Sequence, residues 1–142
     1  MAGQTGSHAD NIVLLAGRLA LGVIFVNSGF MKLMAVGAFA ASLAQRGVPH
    51  SEIWGWIGAA VEFFGGLLIV AGLKTRWASL LMILFVIVAT AISHRYWEFA
   101  DAARRTQQSQ FFKNVAIIGG FLLLYVTGGG RFSLDHFLRR KK

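Results

Sequence analysis

The sequence predicts an all-α protein, an integral membrane bundle of four helices, from three observations. Hydrophobic residues make up 56% of the 142 residues and charged residues only 14%, whereas soluble domains carry roughly 25% charged residues. A chain of this length cannot hide so many apolar side chains in a core, because a small fold leaves much of its surface exposed. The apolar residues also fall into four runs, and the single proline lies between two of them. We therefore expect one membrane domain, residues 1–142, crossed by four helices of about 20 residues each.

The first two spans are expected over residues 12–34 and 53–73. The second is 21 residues long and contains a single charged residue, Glu62. Glycine often ends a helix because it adopts the left-handed conformation at little cost. Gly72 is therefore the expected end of the second helix.

The segment between these two spans is expected to be irregular. The sequence AFA at residues 38–40 has the small-residue spacing of a signal-peptide cleavage site, but the apolar run before it is too long and lacks a basic start. We expect a loop rich in small residues there. The sequence RGVPH at residues 46–50 predicts a turn, after which Ser51 is the expected N-cap of the second helix.

The third span is expected over residues 76–94, with a basic residue and a histidine at its ends that can snorkel to the interface. The fourth is expected over residues 108–127. Its apolar part, residues 115–127, is too short to cross the hydrocarbon alone, and a re-entrant segment is the alternative. The chain then ends in a basic amphipathic tail, residues 131–142.

The distribution of charge bears on orientation and partners. Four spans place both termini on one side, which carries seven Lys and Arg residues against six on the other. Cytoplasmic loops carry the excess of Lys and Arg, so the termini are expected in the cytoplasm. With a net charge of +8, the expected partner is the anionic lipid surface rather than nucleic acid.

Two kinds of chemistry are disfavoured by the residue types. The chain has no cysteine, which excludes disulfides, thiol redox chemistry and thiolate-bound metals. The four histidines lie on separate segments without ligand spacing, so no metal site is expected.

Charged residues inside the apolar runs predict a polar site within the bundle. At about 100° per residue, Arg18 and Lys32 share one helix face with two glycines, and Glu62 shares another with three. A charge facing lipid would cost at least ~3 kcal/mol, so both faces are expected to point inward. With span centres near Val23 and Phe63, Arg18 and Glu62 are expected to pair near the midplane, beside a basic and polar vestibule. The candidate ligand-binding residues are Arg18, Lys32, Glu62, His94, Lys113 and Asn114.

Five segments of the sequence occur in a characteristic order: RLALGVIFVNSGFMKL, VEFFGGLLIVAGLKTRWASL, ISHRYWEF, FFKNVAIIGGFLLLYVTGGG and SLD. This order resembles the DoxX family of small bacterial four-helix membrane proteins, in particular its YphA-type inner-membrane members, and the resemblance extends over about residues 12–135. The family pattern maps onto Arg18, Gly29, Lys32, Glu62, Gly72, His94, Asn114 and Asp135.

The family takes its name from a subunit type of an archaeal thiosulfate:quinone oxidoreductase. The resemblance therefore implies an inner-membrane redox accessory that meets a quinone and a redox protein partner, either as a non-catalytic subunit or as an accessory of a quinone-linked oxidoreductase. A quinone would suit a polar site inside the bundle, because its carbonyls accept hydrogen bonds while its ring and tail prefer hydrocarbon.

The expected function is the binding of a quinone-like or small anionic ligand. Two alternatives stay open at this point. In one, the protein is a transporter component in which Glu62 relays protons. In the other, it is a structural subunit of a membrane complex, in which Arg18 and Glu62 only brace the helices and Lys32 snorkels to the headgroups.

Overall fold

The computed structural model describes residues 6–140, which form helices and connecting turns without any strand. The helices are α1 (His8–Met34), α2 (Val36–Gln45), α3 (Ser51–Ala71), α4 (Thr75–Ser93), α5 (Asp101–Thr127) and α6 (Leu134–Arg139), with a 3-10 turn over Tyr96–Glu98. Four of these, α1, α3, α4 and α5, are long and apolar enough to cross a membrane. The predicted all-α membrane bundle is thereby confirmed. The last two lysines of the expected basic tail lie outside the described residues.

Helices α1 and α3 run antiparallel and pack with their backbones in close approach. A Cβ added at Gly29 would lie 2.5 Å from the backbone nitrogen of Phe63, and one added at Gly66 would lie 2.8 Å from that of Val26. Only glycine fits at such positions, and small residues of this kind let membrane helices pack tightly. The glycine-bearing faces of both helices therefore point inward, as the sequence predicts.

The core lies where all four long helices meet. Its centre contains the rings of Phe25 and Phe121, whose centroids are 5.5 Å apart. The buried cluster consists of Phe25, Ile69, Ala78, Met82, Val86, Ile117, Phe121 and Leu124. Large apolar side chains on the outside remain exposed, for example Val13 and Leu123 at 70% each. Such an exterior suits the acyl chains of a bilayer.

Helix α2 replaces the loop that the sequence predicts around residues 38–40. It packs against α3, where a Cβ added at Gly55 would lie 3.1 Å from the Cβ of Ala40. Alanine and leucine, which fill much of α2, are strong helix formers, and this explains why small residues form a helix here. At ten residues the helix extends about 15 Å, too short to cross the membrane.

The ends of α3 differ in how well the sequence predicts them. His50, in the left-handed conformation with φ of 51°, is the N-cap, and Ser51 is the first helical residue. The expected capping position was therefore wrong by one residue. At the other end, Gly72 has φ of 67° and terminates the helix, which confirms the expected C-terminus.

Candidate functional site

An ion pair joins α1 to α3 inside the bundle. The Nζ atom of Lys32 lies 2.5 Å from Oε2 of Glu62, whose side chain is 5% exposed against 32% for Lys32. The same Nζ lies 5.1 Å from the centre of the Phe39 ring on α2, which attracts a cation through its negative face. The charge of Lys32 is therefore matched by Glu62, and its position is fixed by three helices.

The expected pair between Arg18 and Glu62 does not form. Gly29 lies opposite Phe63, so the register places the level of Glu62 at about residue 30 of α1. At 1.5 Å per residue, Arg18 is about 18 Å away from that level. Matching the centres of the two spans places Val23 opposite Phe63. The structure places Gly29 there instead, six residues further along α1.

Arg18 instead binds the segment that follows α5, at the end of the bundle where α1 begins. Its Nη1 donates to the carbonyl of Gly129 and its Nη2 to that of Phe132, each at 2.7 Å. The residue is 2% exposed. Hydrogen bonds from a charged donor are stronger than neutral ones, so Arg18 fixes the chain that follows α5.

A cavity of about 450 Å³ opens between α2, α3 and α4, at the end of the bundle opposite the described termini. Its size lies within the range of about 300–1,000 Å³ typical of small-molecule sites. The polar residues of its lining are Lys32, Ser93 and His94. The remaining lining residues are Phe39, Leu43, Val48, Trp54, Ile57, Gly58, Val61, Leu81, Leu84, Phe85, Val88, Ala89 and Ile92.

His94 lines this cavity, and its ring contacts α5. Its Nδ1 lies 2.7 Å from Oε1 of Gln107 on α5. An amide oxygen can only accept, so Nδ1 carries the proton, and in the neutral ring Nε2 is then a hydrogen-bond acceptor. The lining of the cavity therefore includes a donor, Lys32, and a residue with an acceptor nitrogen, His94.

The other two predicted residues lie on α5 away from the cavity lining. Asn114 donates through Nδ2 to Oγ1 of Thr90 at 2.8 Å, and Thr90 in turn donates to the carbonyl of Val86 at 2.6 Å. Lys113 is exposed and donates to Oε1 of Gln110. Of the six candidates, Lys32 and His94 line the cavity and Glu62 supports Lys32, while Arg18, Lys113 and Asn114 occupy separate positions.

Sequence reasoning missed the α2 wall of the cavity, to which Phe39 and Leu43 belong. The small residues of this segment predict a loop instead. The available signal was the spacing of Phe39 and Leu43, four residues apart, which puts both side chains on one face of a helix.

Asp135 supports the opposite end of the bundle. Its Oδ1 accepts from the backbone nitrogen of Lys74 at 2.6 Å, and its Oδ2 accepts from the nitrogen and hydroxyl of Thr75, each at 2.8 Å. Burial alone would raise the pKa of Asp135, but the hydrogen bonds from Thr75 and Lys74 outweigh it and hold the pKa below its ordinary value. Asp135 thus caps the start of α4 from a distant part of the chain.

Comparisons with known proteins place this fold and site in context. The DoxX family model matches residues 13–95. The chain is 36% identical over 127 residues to Inner membrane protein YphA of Escherichia coli (strain K12), covering 89% of this chain and 91% of that protein. It is 29% identical over 132 residues to Inner membrane protein YqjF of the same organism, covering 93% and 96%. ER-derived vesicles protein ERV29 of Saccharomyces cerevisiae is 25% identical over 127 residues, covering 89% of this chain and 34% of that protein. No solved structure matches this chain.

Proposed function

This chain belongs to the DoxX family and is a multi-pass protein of the bacterial inner membrane, and we propose that it binds a neutral, quinone-like molecule between Lys32 and His94. One observation carries the proposal. A largely apolar cavity of about 450 Å³ has a single charged residue in its lining, Lys32, and that charge is paired with Glu62. The site therefore offers apolar side chains to the ring and tail of a quinone-like molecule and a small polar region to its head group.

The paired charge favours a neutral ligand over an anionic one. An anion beside Lys32 would lie close to the carboxylate of Glu62, whose side chain is only 5% exposed. Like charges repel strongly where water is excluded. A neutral head group takes a hydrogen bond from Lys32 without that repulsion.

The two polar side chains match both oxidation states of a quinone head. A quinone carbonyl accepts a hydrogen bond from Nζ of Lys32, which is purely a donor. The hydroxyl of a reduced quinone donates to Nε2 of His94, since Nδ1 is already engaged by Gln107. A site that accepts both forms suits a redox accessory that holds the carrier for a partner oxidoreductase, with no catalytic step of its own.

Fluorescence titration tests this function. Trp54 lines the cavity, so a protein in which Trp56, Trp77 and Trp97 are replaced by Phe reports from this position alone. In detergent, a short-chain ubiquinone analogue should quench Trp54 saturably. His94→Phe and Lys32→Met should each weaken binding about tenfold, the effect expected when a hydrogen bond worth about 1.5 kcal/mol is lost.

Lys113→Met is the matched control, because it removes one positive charge from an exposed site away from the cavity. It should leave the affinity unchanged. Equal affinities for all three variants would overturn the assignment of the head group to this cavity. Tighter binding of a carboxylate-bearing analogue of the same ring would overturn the preference for a neutral ligand.

A further inference from the structure

We infer that the segment of residues 128–140 forms a binding site for acidic phospholipid headgroups at the end of the bundle where the described chain begins and ends. The site is separate from the cavity and does not depend on the proposed ligand. We call this segment the C-terminal collar. Three features of the collar support the assignment: its fixed position, its apolar surface and the sign of its exposed charge.

Hydrogen bonds to α1 and to the end of α3 hold the collar in place. Besides the two carbonyls bound by Arg18, the backbone nitrogen of Arg131 donates to Oδ1 of Asn11 at 2.8 Å. The backbone nitrogen of Asp135 donates to the carbonyl of Gly72 at 2.9 Å. The collar therefore contacts α1 and the end of α3, and it presents its outer face in a set position.

Helix α6 within the collar is amphipathic. Leu134, Phe137 and Leu138 recur at helical spacing and are 43%, 54% and 50% exposed. Phe132, just before the helix, is 43% exposed. Apolar residues at the end of membrane spans, beside basic ones, are typical of helices that lie at the boundary of headgroups and acyl chains.

The outward charges of the collar are positive because its acid points inward. The Asp135 carboxylate accepts hydrogen bonds at the start of α4. At the same end of the bundle, Asp10 is exposed, but it lies in the first turn of α1 and outside the collar. Arg131, Arg139 and Arg140 are exposed, and the sequence continues with two lysines. Arginine matches phosphate geometry through its fork of donors, so the complementary partner is an acidic phospholipid.

Competition between lipids in nanodiscs tests the inference. Wild-type protein extracted from mixed phosphatidylglycerol and phosphatidylcholine bilayers should retain phosphatidylglycerol in native mass spectra. Substituting Arg131, Arg139 and Arg140 by Gln should lower the ratio of retained phosphatidylglycerol to phosphatidylcholine by on the order of tenfold, because each basic residue near the surface adds to the attraction for anionic lipid.

The matched control substitutes Arg46, Arg104 and Arg105 by Gln, which removes the same charge from exposed positions at the opposite end. It should change the lipid ratio little. Equal losses in both triple variants would overturn the inference, since the attraction would then follow net charge and not the collar. A wild-type protein without preference for phosphatidylglycerol would also overturn it, and would favour an acidic protein as the partner of this surface. Unchanged thermal unfolding shows that the variants are folded.

Discussion

At the scale of single residues, the pair of Lys32 and Glu62 is asymmetric, and this asymmetry has measurable consequences. Glu62 is the deeper partner, at 5% exposure against 32% for Lys32. Lys32→Met leaves a carboxylate inside the bundle, and breaking a buried pair this way costs about 3–5 kcal/mol. Glu62→Gln should cost less, because the long Lys32 side chain can extend toward the interface. Unfolding in detergent measures both losses.

The double variant Lys32→Met, Glu62→Gln serves as the control for this prediction. It should recover much of the loss seen in Lys32→Met, because no unpaired charge is left in the bundle. Losses that simply add would contradict the pairing, since additivity is the mark of residues that do not interact.

Asp135 is expected to make the stability of the fold decrease at acidic pH. Its pKa lies below the ordinary value, so its stabilising effect is present above the unfolded-state pKa of about 3.9 and is lost as pH falls through the lower folded-state value. Wild type should unfold at a higher temperature than Asp135→Asn at pH 7, and the difference should shrink below about pH 4. A difference that stays constant from pH 7 to pH 3 would contradict a role for the carboxylate charge.

At the scale of elements, the contact between α1 and α3 depends on glycine. A Cβ at Gly29 would lie 2.5 Å from the backbone nitrogen of Phe63, which cannot move without displacing the helix. Gly29→Ala should therefore destabilise the protein by about 1–3 kcal/mol, the usual cost of overpacking. Gly17 lies in the same helix with nothing within 4 Å of an added Cβ. Gly17→Ala should be neutral or stabilise by up to ~1 kcal/mol, and equal effects of the two substitutions in thermal unfolding would contradict the close contact.

The helix faces could be predicted from the sequence, but their offset could not. A charge cannot face lipid cheaply, so the inward direction of Lys32 and Glu62 follows from their spacing relative to glycines. The register between α1 and α3 depends on which glycines contact the facing backbone, and the hydropathy pattern does not contain this information. The centres of the apolar runs therefore predict the wrong partner for Arg18. Helix α2 itself is predictable from its alanines and from the spacing of Phe39 and Leu43, but its packing against Gly55 of α3 is not.

At the scale of the whole molecule, the two proposed binding sites lie at opposite ends of the bundle. Lys32 and His94 lie at the ends of α1 and α4 that face away from the described termini, together with the cavity. Arg18, Asp135 and the collar lie at the other end. The close contact of α1 and α3 at their glycines lies between these ends, so a ligand in the cavity and a lipid at the collar would bind at separate sites.

The orientation of the bundle then determines from which side the cavity opens. The terminal end carries seven Lys and Arg residues against six at the other end, and the end with the excess of Lys and Arg is expected in the cytoplasm. Alkaline phosphatase fused after Gly47 or Phe99 should be active, and after Lys74 or the last residue inactive, with fluorescent-protein fusions giving the reverse pattern. Identical compartments for Gly47 and Lys74 would contradict four spans, because a single span lies between them. A uniform inversion would contradict only the orientation, and the cavity would then open to the cytoplasm and take its ligand from that side of the membrane.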